Sequence, residues 1–343
     1  MSVITELQFT MPSNQASNNI SQCDGFTYDQ NIVPALTFFM FPLALLLNGV
    51  AAWVSLHLKS TSTFVVYLKN LVAADLILTL LIPIRSAAEL PDAPTALFKL
   101  ACRVISTTFY STLYTCITLL GFISLDRFFK IMAPQSKMVS QNLKFSKVTS
   151  GLVWLSLFGG AALPNIILTD KSGVNVTQIS SCMVLKGPAG LQSHSITVIS
   201  LNVLFWIVSV VVAVCYVCIA NKVLYSFRKS GSNNSHGNQK IKLRVFLVVI
   251  VFVVSFVPYH IIRIPYTFQQ VSYSSKTYCF DLRAKFAKEF SLWLATTNTC
   301  MDPLLYVFLC REFKEKLVSI VSKVPGSVRA AVTGSAGSSK TRL

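Results

Sequence analysis

Arg263 stands in an apolar run where a charge has to be explained by chemistry. It shares a helical face with Tyr259 at i−4, Tyr266 at i+3 and Gln270 at i+7. Burying a lone arginine at such depth costs about 2.5–3.5 kcal/mol on insertion scales, so something anionic should meet it. Arg103, Lys186, Lys276, Arg283, Lys285 and Lys288 gather near the same end of neighbouring runs, and Arg85 lies about a turn or more inside, as Arg263 does. Together they form a cationic vestibule, in which Lys276, Arg283 and Lys285 read as side chains snorkelling from helix ends. Arg263, Lys288 and Lys186 are expected to give a di-anion charge-assisted contacts of about 1.5–3 kcal/mol each, with the Tyr259 and Tyr266 hydroxyls nearby. A diphosphate suits that arrangement.

A second set of polar residues lies elsewhere in the apolar runs. Asp75 is a carboxylate deep in one of them, an expensive placement unless paired, and Asn48, Asn298 and Asp302 are its expected polar partners. Asp126 beside Arg127 predicts an intrahelical ion pair that can be held at rest and released toward a partner. The histidines argue against an intramembrane hydrolase. The histidines His57, His194, His236 and His260 are scattered and no His-Glu-x-x-His occurs, so neither a catalytic pair nor metal ligands are set out. No internal repeat of the kind that builds transporters is present either.

Helices inserted in a membrane must position these groups. The chain of 343 residues is 53% hydrophobic and 13% charged, with a mean hydropathy of +0.59, too few polar side chains for a soluble surface. Its net charge of +17 sits in short segments between apolar runs, without a basic domain, which argues against nucleic-acid binding. The organising stretch is Cys102–Arg127, apolar for about 25 residues, or roughly 37 Å of helix. Arg103, Thr107, Tyr110 and Tyr114 align there as one polar stripe that should face protein or ligand. The other spans run over about 32–57, 64–89, 148–168, 195–223, 243–268 and 287–309, giving an all-α membrane protein: a seven-transmembrane helix bundle with a short amphipathic cytoplasmic helix. Residues 1–31 form an outer tail, 32–309 the bundle, 310–322 the amphipathic helix and 323–343 a Gly/Ser-rich disordered tail. Lys59 and Lys69, the linker 130–147 and the segment 225–244 are basic, whereas the amino-terminal tail has no Lys or Arg, so the positive-inside rule sets the amino end outside at the plasma membrane. Asn19 and Asn175 then lie in sequons on the outer side, with Cys23, Cys102, Cys182 and Cys279, which allow three pairings. Thr341-Arg342-Leu343 matches the hydroxyl-x-aliphatic terminus that adds as a strand to PDZ domains.

From Leu47-Asn48-Gly49 to Phe313 the chain resembles the rhodopsin-like (class A) G-protein-coupled receptors. The resemblance rests on Asn48, Leu71-Val-Ala-Ala-Asp75, Cys102, Asp126-Arg127-Phe128, Trp154, Pro164, Cys182, Tyr216, Phe252, Phe256-Val-Pro258 and Asn298 through Asp302-Pro303 to Tyr306. Tyr67-Leu-Lys-Asn70, Leu163-Pro-Asn-Ile-Ile-Leu168, the run Val257–Tyr266 and Lys288-Glu289 are similar to the purinergic receptors, in the subgroup that answers ADP or UDP-sugars and couples to Gi. What the resemblance implies is a receptor, not an enzyme, taking an extracellular nucleotide, with ADP first and a UDP-sugar or another anion such as a lysophospholipid as the alternative. It implies stacking of a base on Tyr110, groups for its edge from Asn165 and His194, and phosphate contacts from Lys186, Tyr259, Arg263, Tyr266 and Lys288. Activation and G-protein coupling fall to Asp126, Arg127, Tyr216, Phe256, Pro258, Asp302, Pro303 and Tyr306. The bridges expected are Cys102 to Cys182 and Cys23 to Cys279. No cofactor is expected beyond a sodium ion as an allosteric ligand at Asp75. The chain departs from the pattern at Cys116, where a hydroxyl ligand is usual, at Phe128 for Tyr, at Val198 for Asn, and in 91–100, which lacks the usual Trp.

Overall fold

A computed structural model describes residues 29–60, 62–133, 142–169, 181–229, 235–271 and 278–322. Six helices among these are long and apolar enough to cross a membrane by length and composition. They are α1 (Ile32–Leu56), α2 (Thr63–Ala88), α3 (Thr95–Met132), α4 (Leu143–Ile167), α5 (Pro188–Lys229) and α6 (Ser235–Val271). The seventh span is two pieces, α7 (Tyr278–Thr296) and α8 (Asn298–Leu309), and the chain ends its described part in α9 (Arg311–Val321). No strand occurs among the described residues. The expected boundaries therefore need correction. α3 runs on through Met132 and α4 begins at Leu143, which converts both ends of the 130–147 linker into helix. α5 begins at Pro188, so His194 lies inside a helix and not at its edge, and the seventh span starts at Tyr278, well before residue 287. Asn19, Cys23, Asn175, Lys276 and Thr341–Leu343 lie outside the described residues, as does the side chain of Cys279.

The helices carry little amphipathic signal because most are wet by lipid on one side and packed on the other, and both surroundings favour apolar residues. What distinguishes the inner faces is small size and polarity. Gly121 on α3 is the clearest case, since a Cβ there would come 2.9 Å from Val208 Cγ1 of α5, so only glycine allows α3 and α5 to approach this closely. Trp154 Nε1 of α4 donates to Asn70 Oδ1 of α2 at 3.1 Å, fastening α4 to the bundle.

Prolines break the hydrogen-bond ladder, and side chains repair it. Pro303 has no N–H to give the carbonyl of Thr299, four residues back, and Asn48 Nδ2 of α1 takes that carbonyl at 2.9 Å. The same amide nitrogen also reaches Ala44 O at 3.0 Å and Thr79 Oγ1 at 3.2 Å, so one asparagine locks α1, α2 and α8 together. In α4 a π-turn over Ser156–Ala162 precedes Pro164, which is unable to donate to Gly160. A further π-turn, Ala101–Ile105, sets the position of Cys102 at the start of the transmembrane part of α3. Cys102 and Cys182 form a disulfide with Cα atoms 5.3 Å apart, tying α3 to the 3₁₀ turn Cys182–Leu185.

α9 starts on Cys310, whose sulfur accepts from Phe313 N at 3.4 Å. Phe313 is buried against Tyr306 at 5.8 Å between ring centroids, and Leu317 and Ile320 continue its apolar face against the bundle. The opposite face carries the exposed pair Arg311–Glu315, so the helix lies along one end of the bundle and does not cross it.

Candidate functional site

Beneath the Cys102–Cys182 bridge a cavity of about 360 Å³ opens between α2, α3, α5, α6 and α7. All eight ligand-site residues expected from the sequence line it: Tyr110 from α3, Asn165 from α4, Lys186 from the 3₁₀ turn, His194 from α5, Tyr259, Arg263 and Tyr266 from α6, and Lys288 from α7. The Tyr110 and Tyr259 rings lie nearly parallel at 6.4 Å, with an interplanar angle of 13°. Arg263 is 5% exposed and places its guanidinium 5.2 Å from the Tyr110 ring centre. Among the described residues it meets no carboxylate, so its partners are π-faces and hydroxyls. Lys186 is 6% exposed and donates to Thr169 Oγ1 at 2.5 Å and to Asn165 Oδ1 at 3.4 Å. Burial with only neutral partners holds its ammonium below the usual lysine range, at about 8.

The remaining charges form an arrangement that the sequence does not expose. Arg85 donates to Glu89 at 2.6 Å and to Glu289 at 3.4 Å, while Lys288 holds Glu289 at 2.5 Å. This chain of two cations and two carboxylates ties α2 to α7. Arg85 also lies 4.6 Å from the Phe109 ring centre and 5.6 Å from that of Tyr110. Lys285, expected to snorkel from a helix end, lies within α7, exposed at the rim of the cavity that it helps to line. Glu89 and Glu289 are wall residues that sequence reasoning misses. The signal available is their spacing, Glu89 at i+4 from Arg85 and Glu289 next to Lys288.

Residues 47–306 match the 7 transmembrane receptor (rhodopsin family) description, well over half of the chain. The chain is 43% identical to purinoceptor 13 of Homo sapiens over 289 residues, 84% of this chain and 80% of the relative. It is 38% identical to purinoceptor 14 of Bos taurus over 292 residues, 84% of this chain and 85% of the relative. The chain belongs to the purinoceptor group of the rhodopsin family. It is a receptor and not an enzyme, one that works through a small-molecule ligand and a heterotrimeric G protein. A more distant match, 35% over 290 residues, is G-protein coupled receptor 87 of Mus musculus, covering 84% of this chain and 80% of that relative.

From the cavity floor the receptor has a continuous aromatic path into its core. Tyr114 meets His260 edge-on at 5.4 Å, His260 stacks on Phe205 at 3.5 Å, Phe205 on Phe252 at 5.9 Å, and Phe252 meets Phe256 at 5.2 Å. His260 is fixed by a hydrogen bond between its Nδ1 and Phe256 O at 2.8 Å, and Asn202 Nδ2 of α5 donates to His260 O at 2.9 Å. Pro258 sits inside this stretch of α6.

Deeper in the receptor lies Asp75, fully buried. Two of its three expected partners are corrected: Asn48 is engaged by backbone carbonyls and Thr79, and Asn298 Nδ2 donates to Asp302 Oδ2 at 2.7 Å. Asp75 instead accepts from the Tyr306 hydroxyl on one oxygen and from the Cys116 thiol, at 3.3 Å, on the other. Asp302 lies within hydrogen-bonding reach of Asp75. Two carboxyl groups this close repel unless a proton or a cation stands between them, so their oxygens suit a sodium ion in chemistry. Both Asp75 oxygens are nevertheless taken here, one of them by sulfur where the family places a hydroxyl.

The Asp126–Arg127 pair also differs from expectation. Asp126 takes Lys130 Nζ at 2.8 Å and the Thr63 hydroxyl, and Lys130 reaches Thr63 Oγ1 at 2.9 Å. A lysine at i+4 sits directly over the carboxylate on the helix surface, whereas the adjacent Arg127 points a third of a turn away, where its guanidinium stands 4.1 Å from the Phe64 ring centre. Tyr216 and Tyr306 line a small apolar pocket with Phe64, between this end and the Asp75 layer.

Proposed function

We propose that the receptor answers an extracellular nucleoside diphosphate, ADP, and signals through the Gi class to lower adenylate cyclase activity. The observation that carries this reading is Arg263, buried in a cavity beside Lys186 and Lys288 with no carboxylate of its own among the described residues, under two nearly parallel tyrosine rings. A diphosphate supplies the missing anion, and a purine supplies an aromatic face for Tyr110. Asn165 and His194 line the same wall and are assigned to the edge of the base. The relatives named purinoceptors support the ligand class, and the basic segments 130–147 and 225–244 support the assignment of the Asp126-Arg127 end to the cytoplasm, with the amino end outside the plasma membrane. Asp75 and Asp302 would hold a sodium ion once Tyr306 and Cys116 give way, supplying the counter-charge that the carboxyl pair lacks. A PDZ domain is the partner proposed for Thr341–Leu343.

A second reading, a nucleotide sugar such as a UDP-sugar, is favoured by Glu89 and Glu289 in the wall, since carboxylates accept from sugar hydroxyls and repel a terminal phosphate. The deciding test is suppression of forskolin-raised cyclic AMP in cells expressing the receptor, titrated with ADP, ATP, UDP-sugars and a lysophospholipid. Potency highest for ADP, and abolished by pertussis toxin, is the expected result. A response to the lipid alone, or one untouched by the toxin, overturns it.

A further inference from the structure

Three lysines line the cavity, and they differ in what they face. Lys288 is held in an ion pair with Glu289 at 2.5 Å. Lys285 is exposed at the rim, in water. Lys186 is buried, with only the hydroxyl of Thr169 and the amide oxygen of Asn165 to accept from it among the described residues. Among the described residues the other group near it adds no negative charge: His194 on α5 lies within electrostatic range of Lys186, as it does of Arg263 and Lys288. A buried amine with neutral partners among the described residues, lining a cavity that Arg263 also lines, has the setting of a lysine that reacts with carbonyl compounds.

We propose that Lys186 is a covalent attachment site for anionic aldehydes, which Arg263 seats by their acidic group so that the carbonyl carbon meets the Lys186 amine. The nitrogen lone pair forms the C–N bond, both amine hydrogens leave with the carbonyl oxygen as one water, and an imine remains. Nothing is oxidised or reduced in that step. The low basicity of Lys186 agrees with it, since an ammonium held near a value of about 8 yields a far larger free-amine fraction at neutral pH than an ordinary lysine does. The inference needs an anion-binding cavity but not a nucleotide as the natural ligand, so it stands or falls apart from the ADP reading.

The test treats purified full-length receptor with pyridoxal phosphate, then with borohydride, which delivers hydride to the imine carbon and fixes the adduct as a secondary amine. Peptide mapping by mass spectrometry locates it. The expected result is an adduct on the peptide carrying Lys186, absent in Lys186→Arg. Pyridoxal, which lacks the phosphate, should label Lys186 at least about tenfold more slowly, the worth of one charge-assisted contact. Labelling of Lys285 or Lys288 ahead of Lys186 in the native receptor, or equal rates for the two aldehydes at Lys186, overturns the proposal. The native site map decides even if the variant fails to fold.

Discussion

At the disulfide end of the bundle Arg85, Lys186, Arg263, Lys285 and Lys288 face Glu89 and Glu289, five cations against two carboxylates and thus a formal excess of +3 in the described cavity wall. In the middle of the bundle the imbalance is reversed: Asp75 and Asp302 meet no cation among the described residues, only the neutral donors Tyr306, Cys116 and Asn298, and Asp302 Oδ1 is left without a hydrogen bond. The difference lies in where the missing counter-charge comes from. In the upper cluster the excess is left open toward a space of about 360 Å³, which can admit an anion from outside. In the lower cluster the excess is closed over by side chains from α3 and α8, so relieving it requires those helices to move. One cluster is arranged for binding and the other for a change of state.

The sharpest way to break that contrast is to remove the open charge. Arg263→Ala should lower agonist potency by about 100-fold or more, the worth of two charge-assisted bonds, while surface expression stays near wild type because no carboxylate is left unpaired. Arg263→Lys should recover only part of it, since a planar fork becomes a point charge. Unchanged potency for the alanine variant in a cyclic AMP assay refutes the ligand role of Arg263.

The lower cluster should respond in the opposite manner. Asp75→Ala strands the Tyr306 hydroxyl and the Cys116 thiol in the apolar core, at about 1–3 kcal/mol for each unsatisfied donor, so the melting temperature of purified receptor should fall by on the order of 5 °C. Asp75→Asn retains an acceptor for Tyr306 and should melt near wild type. Antagonist affinity should change by less than about threefold in either variant. A large loss of affinity with no loss of thermal stability would erase the distinction between the clusters.

The upper cluster is legible in the sequence because each of its residues breaks a local rule: a charge or an aromatic hydroxyl in an apolar run is visible without knowing what it touches. Arg263 with Tyr259 and Tyr266 on one helical face is the plainest example. The partners are less legible. Asp75 reads as a partner of Asn48, yet Asn48 is consumed by the carbonyl that Pro303 frees four residues back, a demand that arises only once α1 and α8 are adjacent. Asp126 reads as paired with its neighbour Arg127, although the helix offers Lys130 at i+4 a better position, so helical geometry alone holds the better answer. Lys285 reads as lying in a loop before the seventh span only if α7 starts nine residues late, and helix ends are the least determined feature of an apolar run. The seventh span itself is harder to see as continuous because it is not: the turn at Thr297 separates α7 from α8.

Within the upper cluster the charge chain gives a finer test. Glu289→Gln removes one of the two carboxylates, raises the formal excess from +3 to +4 and leaves Lys288 free to meet a ligand. Anionic agonists should bind roughly 3- to 10-fold more tightly at low ionic strength, with the gain shrinking as salt is added. Arg85 keeps Glu89, so the α2 side of the network should hold. Weaker agonist binding in this variant would show that Glu289 contacts the ligand directly, as it would in a sugar site.

The smallest effect expected belongs to Lys186, and it depends on pH. Burial among neutral groups holds its pKa at about 8, below the unfolded value near 10.4, so between these values the unfolded chain binds a proton that the folded receptor does not. Stability therefore rises with pH across that window, where the cost of burying the charge is progressively removed, and it is lower where Lys186 is charged. Anion affinity runs the other way, because the cation that contacts the ligand is present below about 8 and lost above it. Among the described residues, the groups at Lys186 are Asn165 of α4, Thr169 just after it and His194 of α5, while Arg263 of α6 lines the same cavity and stays cationic throughout. Binding of a radiolabelled anionic antagonist should thus weaken by up to about tenfold from pH 7 to pH 9, one charge-assisted contact, and bound ligand should shift the midpoint upward by stabilising the ammonium. In Lys186→Gln the affinity should be lower at pH 7 and nearly flat over the same range. A pH profile unchanged by that substitution would assign the titration to another group and leave Lys186 to packing alone.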